Sequence, residues 1–197
     1  VHERLAREEL PADTAELARF LIGRTLTHDT AEGRASGRIV ETEAYVVGDR
    51  GSHAFNGQTR RNRSMFLRRG HAYVYLIYGV WCCVNVSSEA EGVGAAVLIR
   101  ALEPLEGQAL MARRRGGGRP QDLARGPGRL CQAMGIDLTH DGADLCAPGP
   151  LWLGHGPRPP GRIGESVRIG LTRDAERVLR YYEAGSPFVS GPARLRV

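Results

Sequence analysis

Residues 71–88, HAYVYLIYGVWCCVNVSS, constrain the fold more than any other stretch of this chain. They are β-branched and aromatic almost throughout and are broken only at Gly79, so they read as two strands joined by a turn. The neighbouring sequence supplies partners for such a hairpin. Residues 36–47 alternate like a strand, and GAAVLIRAL (94–102) reads as a buried one. A helix is expected after Asp13, with Asp13 as N-cap, Glu16 as its capping-box partner and Gly23 as the stop. A second helix is expected from about Pro104 and a third in GPGRLCQAMGI, with RRRGGGRPQD as a loop. APGPLWLGHGPRPPGRIG reads as an irregular crossing, SVRIGLT as a late strand and AERVLRYYEAG as a helix. This order gives a mixed α+β fold with helices packed around an antiparallel sheet. At 197 residues it is most simply one domain, 1–197, with residues 1–12 as a peripheral arm.

The net charge is +5, which suits a polyanionic partner and equally suits an enzyme from an arginine-rich proteome. More telling is that all 27 basic residues are arginines. Without lysine, neither a lysine Schiff base nor a P-loop lysine is available. The four cysteines, Cys82, Cys83, Cys131 and Cys146, form no C-x-x-C pair, which argues against a zinc site or a disulfide framework. They read as small apolar residues in a reducing compartment. No apolar run reaches membrane-spanning length and no signal-peptide pattern opens the chain, so the expected location is the cytoplasm.

Two features carry chemistry. In the hairpin, Tyr73, Tyr75 and Ile77 share a face, while Tyr78 falls out of phase beside Gly79 at the turn. An aromatic ring at a hairpin tip either packs on a neighbouring loop or serves as a wedge between bases. TRRNRSMFLRRG, immediately before the hairpin, supplies Arg60, Arg61, Arg63, Arg68 and Arg69 and favours the wedge, because such arginines can fix register on a duplex.

The second feature is IVETEAYVVGDRGSH (39–53). Strand alternation puts Val40, Thr42, Ala44 and Val46 on one face and Glu41, Glu43 and Tyr45 on the other. Paired carboxylates of this kind suit a glycoside hydrolase, yet neither tryptophan lies near to stack on a sugar. They also suit an exposed edge strand. Tyr45 on the same face, and His53 beyond the turn-prone GDRG, favour an acid set among flat π-surfaces that hold an extruded base.

RIVETEAY, the spaced His53, RRNRSMF, YVYLIYG, NVSS, LIRALEPLEG, GPGRLCQA and GSPFVS occur in that order from about residue 16 to 191. Together they resemble the alkyladenine (3-methyladenine) DNA glycosylase family. The resemblance implies a curved antiparallel sheet surrounded by helices, with the hairpin protruding into DNA. It implies that Glu43 is the general base that activates water, with Arg100 and the Ile169 carbonyl near that water. Tyr45 then forms one wall of a base pocket, and His53 with Tyr75 the opposite wall. Asn85 excludes the 2-amino group of normal guanine, and Tyr78 fills the vacated stack. Arg60, Arg61, Arg63 and Arg69 contact phosphates, and Glu41 supports Glu43.

The activity so implied is base-excision repair: a damaged purine of the 3-methyladenine, 7-methylguanine, hypoxanthine or ethenoadenine type is flipped from duplex DNA. Its N-glycosidic bond is then hydrolysed without cofactor or metal. An ionised carboxylate suits the positive charge that develops on the sugar. The missing lysines point to a monofunctional enzyme that leaves an abasic site. The chain is expected to work as a monomer and, if bacterial, with the nucleoid. The alternative is a non-catalytic damage-binding protein on the same scaffold. The resemblance also sets a geometric condition. Tyr75 and Asn85 share a face only if the hairpin loop is odd, residues 78–80.

Overall fold

The Asp13 carboxylate caps the first helix, α1 (Thr14–Leu21), accepting the Glu16 N–H at 2.8 Å. Its buried residues are Thr14, Leu17, Ala18 and Leu21, the i, i+3, i+4, i+7 stripe of a helix laid on a core. The computed structural model describes residues 3–193, and in it α1 leads into two paired strands, β1 (Thr25–Thr30) and β2 (Gly33–Tyr45). The hairpin follows as β3 (Ala72–Ile77) and β4 (Trp81–Ser87), and then β5 (Ala96–Glu106). Three short helices come next: α2 (Gln108–Arg115), α3 (Pro120–Leu123) and α4 (Pro127–Met134). Last are β6 (Leu151–Gly154), β7 (Ile163–Ser166) and β8 (Arg180–Glu183).

The eight strands form one antiparallel sheet in the order β3-β4-β5-β2-β1-β6, with β8 on β2 and β7 on β8. β2 organises it. One edge of β2 pairs with β5 from Ser36 to Tyr45; the other pairs first with β1 and then, at Glu41–Glu43, with β8. A strand that changes partner midway has to bend, and register shifts between Ile39 and Thr42 supply the bend. The α+β class with a curved antiparallel sheet, expected from the sequence, is the one observed.

The two faces of the sheet have different work. Val74, Val84, Val86, Val97, Ile99 and Ala44 face a core completed by Leu17 and Leu21 of α1, Met111 of α2, and Leu130 and Met134 of α4. Burying each such leucine or valine is worth about 1.5–3 kcal/mol, enough to make this face the anchor of the fold. On the opposite face a single row crosses the strands. Tyr73 pairs with Asn85, Asn85 with Leu98, Leu98 with Glu43, and Glu43 with Arg180. Cross-strand partners project to the same side, so the polar residues of the second face are aligned by register alone.

The hairpin condition is met. Ile77 pairs with Trp81 and Tyr75 with Cys83, leaving the odd loop 78–80 and placing Tyr75 on the face of Asn85. The four cysteines are free thiols.

Other local expectations are corrected. β5 runs on through Pro104, which pairs with Gly37 at a register shift where its missing N–H breaks no ladder bond. The next helix starts at Gln108 from Gly107, whose φ is +72° and where a Cβ would lie 2.1 Å from the Arg34 carbonyl oxygen. The expected irregular crossing contains β6, paired with β1. AERVLRYYEAG contains a strand, β8, because Tyr181 and Tyr182 are both buried, on opposite faces, between β2 and β7. SVRIGLT leaves the sheet after Ser166 instead of forming a late strand. The bulge also places Val40 with Ala101, Tyr182 and Val189, away from the core that holds Ala44. The leader is docked: Leu5 and Leu10 are buried, and the Leu5 N–H donates to the Leu153 carbonyl at 3.0 Å.

Candidate active site

Leu98, with Glu43 and Asn85 as its register partners, lies in the floor of a cleft of about 320 Å³. Tyr45, His53, Tyr73, Tyr75, Asn85, Arg100 and Ile169 also line it, with Tyr78 and Arg61 at the hairpin side. Nearly every pocket residue expected from the sequence therefore converges on one place.

Glu43 is completely buried just beneath this lining. Its Oε1 accepts the Ile169 N–H at 2.7 Å and lies 3.2 Å from Arg100 Nη1; its Oε2 accepts the Tyr45 hydroxyl at 3.0 Å. Three cleft-lining residues thus hold one carboxylate. Burial, and then the Glu43 charge, push the Tyr45 phenol far above its ordinary value, so it remains an O–H donor. The Ile169 contact with Glu43 is made by the backbone N–H; the carbonyl of the same residue is the group that the family resemblance places near the attacking water.

Glu41 is buried as deeply, among arginines and a main-chain donor. Its Oε1 accepts Arg100 Nε at 2.9 Å and Arg180 Nε at 2.8 Å, and its Oε2 accepts the Ser190 N–H at 2.6 Å. Burial alone would raise this carboxyl; the Arg100 and Arg180 guanidiniums and the Ser190 N–H outweigh it and hold it below its usual value. Glu41 therefore fixes the Arg100 side chain whose other end reaches Glu43.

The aromatic wall is built from three rings. Tyr73 and Tyr75 stack at 5.3 Å between centroids, and His53 meets Tyr75 edge-on at 4.6 Å. His53 Nδ1 and the Tyr73 hydroxyl are 3.0 Å apart. Partial desolvation by the surrounding protein, and then the Arg61 charge, lower the His53 pKa and favour the uncharged ring. Tyr73 was not among the expected site residues, although its period-2 spacing from Tyr75 was the available signal. Asn85 donates from Nδ2 to the Tyr73 carbonyl at 3.0 Å, which fixes its orientation.

Tyr78 stands at the hairpin tip, 87% exposed, with φ at +53°. A bulky residue rarely adopts that backbone region, and here it turns the ring away from the protein. Val80 and Trp81 beside it are also exposed. Arg60, Arg61 and Arg63 are exposed on the segment before β3, and Arg61 donates to the Leu76 carbonyl at 3.1 Å. Arg69 is set apart from them: it is half-buried, and its carbonyl accepts from Arg7.

A buried carboxylate under an aromatic cleft, beside an exposed apolar tip and a basic segment, is an arrangement for acting on one base of a nucleic acid. A model of the methylpurine-DNA glycosylase family matches residues 8–187. The chain belongs to this family. It is thereby an enzyme of base-excision repair that acts on N-glycosyl bonds. Similar proteins carry the name "Putative 3-methyladenine DNA glycosylase". One from Mesorhizobium japonicum is 62% identical over 99% of this chain and 94% of its own length. Another, from Paraburkholderia phytofirmans, is 55% identical over 98% and 91% respectively. A third, from Methanocella arvoryzae, is 47% identical over 94% and 95%. No helix among the described residues is long and apolar enough to cross a membrane.

Proposed function

We propose that this glycosylase removes alkylated or deaminated purines from duplex DNA, using Glu43 to activate the attacking water and leaving an intact abasic site. The observation that carries the reading is the Glu43 carboxylate, held by Ile169, Arg100 and Tyr45 directly under an aromatic cleft of base-pocket composition. The purine enters between Tyr45 and the His53–Tyr75 wall, with Asn85 at its edge. Cleavage of the glycosidic bond leaves positive charge on the sugar, which the Glu43 carboxylate faces while it takes a proton from water. Cationic alkylated purines are good leaving groups and stack favourably on neutral aromatic rings. Tyr78 occupies the space the base vacates, while Arg60, Arg61 and Arg63 contact flanking phosphates. With no lysine in the sequence, no lysine Schiff base forms with the sugar, and the strand stays uncut.

The test is a set of duplexes each carrying one lesion: 3-methyladenine, 7-methylguanine, hypoxanthine or ethenoadenine. Free base should appear, with strand breakage only after alkali. Lesion binding without base release would instead identify a damage sensor, and breakage without alkali would contradict the monofunctional assignment.

A further inference from the structure

Arg168 and Asp49 form a fully buried ion pair that the reaction as described does not use. Arg168 Nη1 and Nη2 each donate to one Asp49 carboxylate oxygen, the second at 2.9 Å, in a bidentate pair. The same guanidinium donates to the Ala44 carbonyl at 3.0 Å and to the Asp174 carbonyl at 3.4 Å. Its carbon lies 4.7 Å from the centroid of the Tyr45 ring. Arg168 does not line the cleft, whereas Tyr45 does, so the guanidinium backs the ring from inside the protein. The next residue, Ile169, is the one whose N–H holds Glu43.

We propose that Asp49 and Arg168 set the cleft's preference between cationic and neutral bases, acting as positioning and charge-balancing residues through the Tyr45 ring. The inference rests on the reading of the cleft as a base pocket. A cation against one face of an aromatic ring opposes the binding of a second cation on the other face, because both draw on the same π-system and repel across it. Asp49 cancels that repulsion by neutralising Arg168. The other buried charges here balance as well, Glu41 and Glu43 against Arg100 and Arg180. Tyr45 therefore presents a cationic base with a ring that has no uncompensated positive charge behind it. For a neutral base the same balance has little effect.

The two single substitutions should act in opposite directions. Asp49→Asn leaves Arg168 unneutralised behind the ring; Arg168→Gln leaves Asp49. The experiment measures excision efficiency on duplexes carrying 7-methylguanine, a cation, and hypoxanthine, which is neutral. Duplex affinity replaces excision for a lesion that binds without release. The cationic-to-neutral ratio should fall on the order of tenfold in Asp49→Asn and rise in Arg168→Gln. In the double variant, which has no unpaired buried charge, it should return to within about twofold of wild type. Loosening of the Ala44, Asp174 and Ile169 contacts would instead lower both lesions by the same factor, and an unchanged ratio in every folded single variant overturns the proposal. A double-variant ratio displaced about tenfold from wild type overturns it too, and that variant serves where the singles fail to fold by thermal unfolding. If the wild-type protein neither binds nor releases either base, it is the base-pocket reading that fails.

Discussion

The Ile169 backbone N–H donates to Glu43 Oε1 at 2.7 Å, joining two residues 126 positions apart in the chain. The contact ties the loop after β7 to the C-terminal end of β2, and it is made where the chain has left the sheet after Ser166. The carboxylate is thus oriented by a main-chain donor that only a proline at 169 would remove, in addition to Arg100 and Tyr45.

Tyr78 contacts solvent over most of its surface and sits in a backbone region unfavourable to its side chain. Tyr78→Ala should leave thermal stability within about 0.5 kcal/mol of wild type. Affinity for lesion duplex should fall on the order of tenfold. A titration of labelled duplex, alongside an unfolding curve, separates the two effects.

Tyr73→Phe removes the hydroxyl beside His53 Nδ1 and keeps the ring stack with Tyr75. Stability should drop by about 1 kcal/mol. Excision efficiency should drop several-fold as the His53 ring loses its anchor. Steady-state kinetics on a released lesion measure this.

Replacing Arg60, Arg61 and Arg63 together by glutamine should flatten the dependence of DNA affinity on salt. Each lost phosphate contact reduces the log–log slope by about 0.9. Arg69→Gln should change that slope little, since Arg69 is half-buried and lies apart from the other three.

The Arg38 guanidinium, bonded to Glu183 at 2.5 and 2.7 Å, holds that carboxyl down to about 2 from an ordinary 4.5, against the upward push of burial. The folded pKa lies below the unfolded one, so the stabilisation is fully present above about pH 4.5 and is lost as pH falls towards 2. The difference corresponds to about 3 kcal/mol. Glu183→Gln should therefore destabilise the protein at neutral pH and weaken the pH dependence of stability between these limits, as followed by circular dichroism.

The parts of the fold that could be read from the sequence are those written in local patterns. β3, β4 and β5 declare themselves by composition and α1 by its Asp13 cap, while the odd loop follows from the family resemblance, which needs Tyr75 and Asn85 on one face. Glu43, Tyr45 and Arg100, picked out through the family resemblance, are in contact, and His53 lines the same cleft as Tyr45 and Arg100. What was illegible depends on distant partners. β8 looks helical until β2 and β7 bury both of its faces. Pro104 looks like a helix start until Gly37 pairs with it across a bulge. Nothing in GDRG or SVRIGLT announces that Asp49 and Arg168, 119 residues apart, will form a bidentate pair behind Tyr45. Tyr73 was legible in its spacing, and it lies deeper than Tyr75, with its hydroxyl against His53.

Glu43→Gln is the most direct measurement. The substitution keeps the shape of the buried side chain and removes its ability to take a proton. Single-turnover release of base from a 3-methyladenine or hypoxanthine duplex should become undetectable, while affinity for the same duplex stays within a few-fold of wild type. Full excision by Glu43→Gln would contradict the assignment of Glu43 as the base.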